Sequence, residues 1–383
     1  MKIGILSFTS STNNYGQLLQ CYGLETYLRK LGHEAYHVRY APEKSKLERM
    51  RIPAQRAEML KSYLNWRSAV NAFRKLRFRQ NDDKREFDSF RSNSLVLSSQ
   101  RYRSIEELRA TPPVADAYIA GSDQIWGSPL SDEDTSGWFL KFGSPTTKRI
   151  SYAASIGRQI KEEDVPRFRE CLTDFDSISV RERGAQEVCQ RCGYSAKVVL
   201  DPTLLLEADD YQQLIDDAGI VVKSDKYIFA YILNILYARD IHWSQFEKYV
   251  SQNGYDVVPV YSSGYYSAYP IIRNRSAYSP TIPEWLKLIK ESEGVVTTSF
   301  HGVVFSVLFR RPFIALPLSD SRGKGNDRVT TLLESIGLNA RIYNQNMTVS
   351  EQMNAPIDWT SAHRKLSVLR NESRMFLQKA LAN

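Results

Sequence analysis

Nowhere in the 383 residues do about eighteen apolar side chains follow one another, the length a membrane-spanning helix needs. Soft metal ligands are scarce too, with four cysteines and five histidines. His33, His37, His242, His301 and His363 show no ligand spacing, so no metal is expected. Cys189 and Cys192 form a C-x-x-C without a second pair at zinc-ribbon spacing, which reads as buried free thiols in a reducing compartment. The apolar run from Met1 to Phe8 turns polar too soon for a signal sequence, and the expectation is a soluble, cytoplasmic protein. No Pro-, Gly- or Gln-rich tract marks a disordered arm, and 42% hydrophobic with 11% aromatic residues suffices for packed cores.

The formal charge is +8, and its location says more than its size. From Lys44 to Arg91 there are fourteen Lys and Arg against six Asp and Glu, an excess equal to that of the whole chain. Met59, Tyr63, Trp66, Val70 and Phe73 recur there at steps of three and four, which predicts an amphipathic helix. Such a helix either packs on its own domain or lies on the anionic inner face of a membrane. No nucleic-acid reading motif accompanies it, so nucleic acid is not an expected partner.

Lys2 to Phe8 reads as a strand, the polar stretch to Asn14 as a loop, and the segment with Leu18, Leu19, Tyr22, Leu28 and Leu31 as a helix before a second strand at Ala35 to Tyr40. The α/β alternation resumes at Ala115 to Ala120, Arg149 to Ser155, Ile178 to Val180 and Lys197 to Leu200. After Asp201-Pro202-Thr203 a second alternation runs through Tyr227 to Ile232, Asp256 to Val260, Gly294 to Thr298 and Pro312 to Leu316. The prediction is an α/β fold of two Rossmann-like domains facing a cleft: 1–205 with a basic helical insertion at about 44–110, a linker at 206–225, and 226–383.

Candidate chemistry lies where strands end. Gly294 to Thr298 runs into Ser299-Phe300-His301-Gly302, so His301 opens a helix, where free amides and the positive dipole end favour anions. Arg181 follows a strand in the same way, and a guanidinium there suits a phosphate or carboxylate. Arg322, Lys324 and Arg328 stand in or beside a Gly-rich loop that lacks the P-loop pattern. Gly121-Ser122-Asp123-Gln124-Ile125-Trp126 ends another strand with a carboxylate, an amide and an indole, a group suited to a sugar; its bland reading is a turn followed by a core Trp. Asn14, Tyr15 and Gly16 on the first loop face the same cleft in this reading.

In chain order, Asn14-Tyr15-Gly16 with Leu19-Gln20, Gly121 to Trp126, Tyr152-Ala153-Ala154-Ser155-Ile156-Gly157, Val180-Arg181-Glu182, Leu200-Asp201-Pro202-Thr203 and Ser299 to Gly302 resemble the polysaccharide pyruvyl transferase family, over roughly Met1 to Leu338. The resemblance implies a glycosyltransferase-B-like fold. It also implies transfer of pyruvate, as a cyclic ketal, from phosphoenolpyruvate to a sugar of a bacterial surface polysaccharide (capsule or exopolysaccharide) or its lipid-linked precursor, with no cofactor besides that co-substrate. His301 then contacts the phosphate and acts as the acid, Asp123 orients or deprotonates the acceptor, and Arg181, Ser299 and Gly302 serve the donor. Asn14, Tyr15, Gly16, Gln124 and Trp126 serve the acceptor. Many members carry an Arg where this chain has Ser299, so either Arg322, Lys324 or Arg328 supplies that charge or the donor is bound differently in this branch. A nucleotide-sugar glycosyltransferase and a noncatalytic glycan-binding member are the rival readings, separated by which donor is turned over.

Overall fold

The computed structural model describes residues 1–42, 85–127, 130, 133–219, 224, 226–235, 241–260, 262, 278–318 and 325–382. In β1 (Lys2–Leu6) Ile3, Ile5 and Leu6 are fully buried, the pattern of a central parallel strand covered on both faces. Around it β2 (Glu34–Tyr40), β3 (Leu97–Tyr102), β4 (Ala117–Ala120), β5 (Lys148–Ala154), β6 (Ser177–Val180) and β7 (Lys197–Val198) form a seven-stranded parallel sheet in the order β3-β2-β1-β4-β5-β6-β7. A second parallel sheet, ordered β11-β10-β8-β9, comprises β8 (Tyr227–Tyr231), β9 (Asp256–Val260), β10 (Gly294–Thr297) and β11 (Phe313–Ala315). Mixed α/β with two parallel sheets is therefore the architecture.

The helix Tyr15–Lys30 starts at Asn14, whose side chain accepts from the Gln17 amide, and ends with Arg29 and Lys30 at the negative dipole end. The basic insertion expected at about 44–110 does not extend that far. From Phe87 onward the chain makes the helix Phe87–Ser94 and then β3, the edge strand paired to β2. Ser98, Ser99, Gln100 and Arg101 in β3 lack the apolar alternation that marks a strand, which is why the sequence conceals it. The Met59, Tyr63, Trp66, Val70 and Phe73 stripe lies outside the described residues. No helix among the described residues is long and apolar enough to cross a membrane.

One cluster of buried apolar side chains joins both sheets, from Ile3, Leu18 and Tyr15 to Trp285, Val303 and Phe305. The last helix, Trp359–Ala382, returns to the first sheet: Ser373 Oγ accepts from the Leu200 amide at 3.0 Å, and Lys148 Nζ donates to the Leu381 carbonyl at 2.8 Å.

Candidate active site

Each sheet has a place where chain order reverses, between β1 and β4 in the first and between β8 and β10 in the second. Loops leaving the carboxyl ends of strands open a crevice at such points. Here the two meet. Tyr15 donates to the Pro280 carbonyl at 2.8 Å and stacks on Trp285 at 5.3 Å, while Gly16 lies so close to His301 that a Cβ would stand 2.0 Å from its Nδ1.

The β4 end turns sharply. At Gly121, φ is +131° and a Cβ would meet the Tyr152 carbonyl oxygen at 2.0 Å, so only glycine fits. Asp123 follows at φ 68°, a left-handed conformation that aspartate tolerates. The turn is held from behind by Gln20, which accepts from the Ser122 amide at 3.1 Å and donates to Ser7 Oγ at 2.7 Å.

Arg181, at the end of β6, is buried, and its guanidinium is divided between two carboxylates: Nη1 donates to Asp201 at 2.6 Å and Nη2 to Asp123 at 3.3 Å. Asp201 also accepts from the Thr203 amide and hydroxyl at 3.0 and 2.7 Å, and its Oδ2 stands 3.5 Å from His301 Nε2, an ion-pair separation long for a hydrogen bond. Burial by itself would raise the Asp201 carboxyl, but His301, Arg181 and Thr203 hold it far below the usual carboxylate range. Asp123 behaves likewise: burial pushes it up, and Arg181, His301, Arg328 and a Gln17 hydrogen bond bring it below its ordinary value. The Arg181 charge, disfavoured by burial, is secured by Asp201, Asp123 and Glu182, which raise its pKa. Arg181 Nε and His301 Nε2 are buried without a hydrogen-bond partner.

Phe300 separates two cations. Arg181 Cζ stands 4.8 Å from its ring centroid and Arg328 Cζ 5.9 Å. Arg328 is only half-buried, and its Nε donates to the Gly325 carbonyl at 3.3 Å. Arg181, Asp201, Phe300 and Arg328 line one crevice.

Of the residues singled out in the sequence, His301, Asp123, Arg181 and Arg328 converge here. Ser299 caps its own helix, its Oγ accepting from the Gly302 amide at 3.4 Å, so that amide is already engaged and is not a free anion donor. Trp126 is not an acceptor platform. It is fully buried, stacked on Phe139 at 5.2 Å, with its indole donating to the Trp138 carbonyl at 3.2 Å. Tyr15 is likewise a core side chain joining the sheets, and Gly16 serves to admit His301. Asn14 caps the first helix, and Gln124 packs on Gly157. Arg322 and Lys324 lie outside the described residues. Asp201 was missed. In Leu200-Asp201-Pro202-Thr203 it reads as a turn residue, and only the fold reveals that it joins Arg181 to His301. Glu182 is structural, its Oε1 accepting from Ser155 Oγ and the Ile156 amide at 2.9 Å each. Among the described residues no group of three or more His, Cys, Asp or Glu side chains is placed to hold a metal.

The family model described as polysaccharide pyruvyl transferase matches residues 14–320. No curated protein matches the chain. Among solved structures, the UDP-GlcNAc 2-epimerase from Neisseria meningitidis bound to UDP-GlcNAc is similar at 10% identity, with 100% of each chain covered and a TM-score of 0.49. The UDP-GlcNAc 2-epimerase from Methanocaldococcus jannaschii is similar at 12% identity, covering 97% of this chain and 100% of that one, with a TM-score of 0.44. ADP-heptose LPS heptosyltransferase II from E. coli is similar at 14%, covering 97% and 99%, with a TM-score of 0.37.

Proposed function

We propose, from the premise that this chain belongs to the polysaccharide pyruvyl transferase family, that it moves the pyruvyl group of phosphoenolpyruvate onto two hydroxyls of a surface-polysaccharide sugar or its lipid-linked precursor. The observation that carries the reading is the meeting of His301, from the second sheet, with the Arg181–Asp201 pair, from the first, beside the half-buried Arg328.

Ketal formation from an enol phosphate begins with protonation of the methylene carbon. One sugar hydroxyl attacks the resulting cationic carbon and loses its proton. The carbon–oxygen bond to phosphate then breaks, and the second hydroxyl closes the ring, losing its proton in turn. Of the two protons released, one balances that taken up by carbon and the other leaves with phosphate. His301 delivers the first proton, as its ring is clamped between Gly16 and Asp201. Asp123, kept ionised by the surrounding cations, accepts from an acceptor hydroxyl. Because Arg181 is already divided between two carboxylates, it sets the field and geometry of the site, and Arg328 meets the donor's anionic groups.

The test is incubation with phosphoenolpyruvate and lipid-linked galactose, glucose or mannosamine acceptors, following inorganic phosphate release and the mass of the acceptor. A pyruvyl adduct formed with equal phosphate supports the proposal. Release of a nucleotide from a nucleotide sugar, with phosphoenolpyruvate untouched, overturns it.

A further inference from the structure

The helix Arg183–Arg191 begins two residues after Arg181, and its N-cap residue Glu182 provides no side-chain cap. First-turn amides need a partner from somewhere. The Gly184 amide finds one in the other half of the molecule, donating to Asp327 Oδ2 at 2.9 Å. The approach is close enough that a Cβ on Gly184 would stand 2.7 Å from that oxygen. Asp327 Oδ1 accepts from Thr331 at 3.2 Å, so both carboxylate oxygens are engaged. A second strut runs in parallel, Arg183 to Glu334 at 2.6 Å, though both side chains are exposed and such pairs contribute little.

Asp327 opens the helix Asp327–Ile336 and immediately precedes Arg328. On its other side the Asn326 side chain accepts from the Leu318 amide at 2.9 Å and donates to the Leu318 carbonyl at 2.8 Å, tying the helix start to the segment after β11. Arg328 is thus held at its root by both halves while its guanidinium is held loosely. Its charge is disfavoured first by burial and then by Arg181, and is favoured by Asp123, Glu182 and Asp201. Those carboxylates attract the guanidinium, and the backbone position from which it reaches them is set by the residue before it.

The geometry points to Asp327 as a positioning residue: by capping the helix that follows Arg181, it latches the two halves and sets Arg328 against Phe300, where Arg328 meets a dense anion such as a phosphate ester in the crevice that the carboxylate-paired Arg181 helps to line. The identity of that anion as phosphoenolpyruvate rests on the pyruvyl-transfer reading; the latch does not. Asparagine caps amides about as well as aspartate, whereas alanine does not cap.

Asp327→Ala therefore raises the KM for phosphoenolpyruvate about tenfold or more while kcat stays within about twofold, and Asp327→Asn restores the wild-type KM. Gly184→Ala, which drives the carboxylate away, raises KM as Asp327→Ala does. Inorganic phosphate is the second probe, by titration calorimetry: Asp327→Ala and Arg328→Gln both weaken its binding about tenfold or more relative to wild type. An unchanged donor KM and unchanged phosphate affinity in Asp327→Ala overturn the latch, even if the variant melts earlier. A wild-type protein that binds phosphate in an Asp327-dependent way yet never consumes phosphoenolpyruvate upholds the latch and sinks the donor assignment. One that consumes it with a KM indifferent to Asp327→Ala does the reverse.

Discussion

Gly16→Ala places a methyl group 2.0 Å from His301 Nδ1, and the imidazole has to move. A displacement of about 1 Å in a reacting group costs about a hundredfold in rate, so transfer falls by that order while circular dichroism stays native. His301→Ala removes the group itself and lowers turnover about a hundredfold or more. Wild-type turnover in either folded variant takes His301 out of the chemistry. Asp201→Ala acts on stability as well, because breaking a buried ion pair by removing one partner costs about 3–5 kcal/mol. The signature is a lower melting temperature and a weaker acid limb. With Asp201 held far below its ordinary pKa of 3.8, wild type has this contribution in full above that value and loses it progressively as pH falls below 3.8 towards the lowered pKa of the folded state. His301, Arg181 and Asp123, which the fold brings together, were singled out in the sequence because each sits where a strand stops. Asp201 was not, since a carboxylate before Pro202 reads as a turn residue whatever it touches across the fold. Trp126 misled for a related reason: an indole after a strand has the same sequence signature as sugar platform and as core.

Between elements, the seam joining the helix Tyr15–Lys30 to β2 and β3 holds a buried acid. Glu25 stands 3.4 Å from His37 Nε2, accepts from the Val96 amide at 3.0 Å and from Arg29 at 3.5 Å, and burial pushes its pKa up to about 7. Burial lowers His37 to about 4. For Glu25 the unfolded chain releases its proton first, so stability falls as pH rises from about 4.5 to about 7, at most about 1.4 kcal/mol per pH unit. For His37 the unfolded imidazole gains its proton first, so stability falls as pH drops from 6.5 towards 4. Urea unfolding of Glu25→Gln should keep the second slope and lose the first; retention of both would mean that Glu25 is ionised in the fold at all these pH values. Strands rich in β-branched and apolar residues, such as β1 and β10, were read within a residue or two. By contrast β3 was invisible, because a polar edge strand owes its existence to its partner β2 and to the Glu25–Val96 bond, neither of which is local.

At the scale of the molecule, the sequence showed two alternating halves but not how firmly they are joined, since the residues responsible, Tyr15 and Trp285, lie far apart in the chain. Their common apolar cluster predicts one cooperative unfolding transition, with calorimetric and van't Hoff enthalpies in agreement. Two resolved peaks would make the halves independent. Trp285→Ala, which opens a cavity in that cluster, costs about 3–5 kcal/mol and should lower the single transition as a whole without splitting it. The helix Trp359–Ala382 adds a temporal side to this arrangement. Ser373 accepts from Leu200 across 173 residues and Leu381 from Lys148 across 233, so the first sheet is finished by residues made long after it. A ribosome adding about 5–20 residues per second leaves that sheet without these last contacts for on the order of ten seconds or more. A chain stopped before the last helix lacks the Leu200–Ser373 and Lys148–Leu381 bonds and the packing of Leu377 and Leu381 against the first core, and such truncations are expected to melt below the full chain.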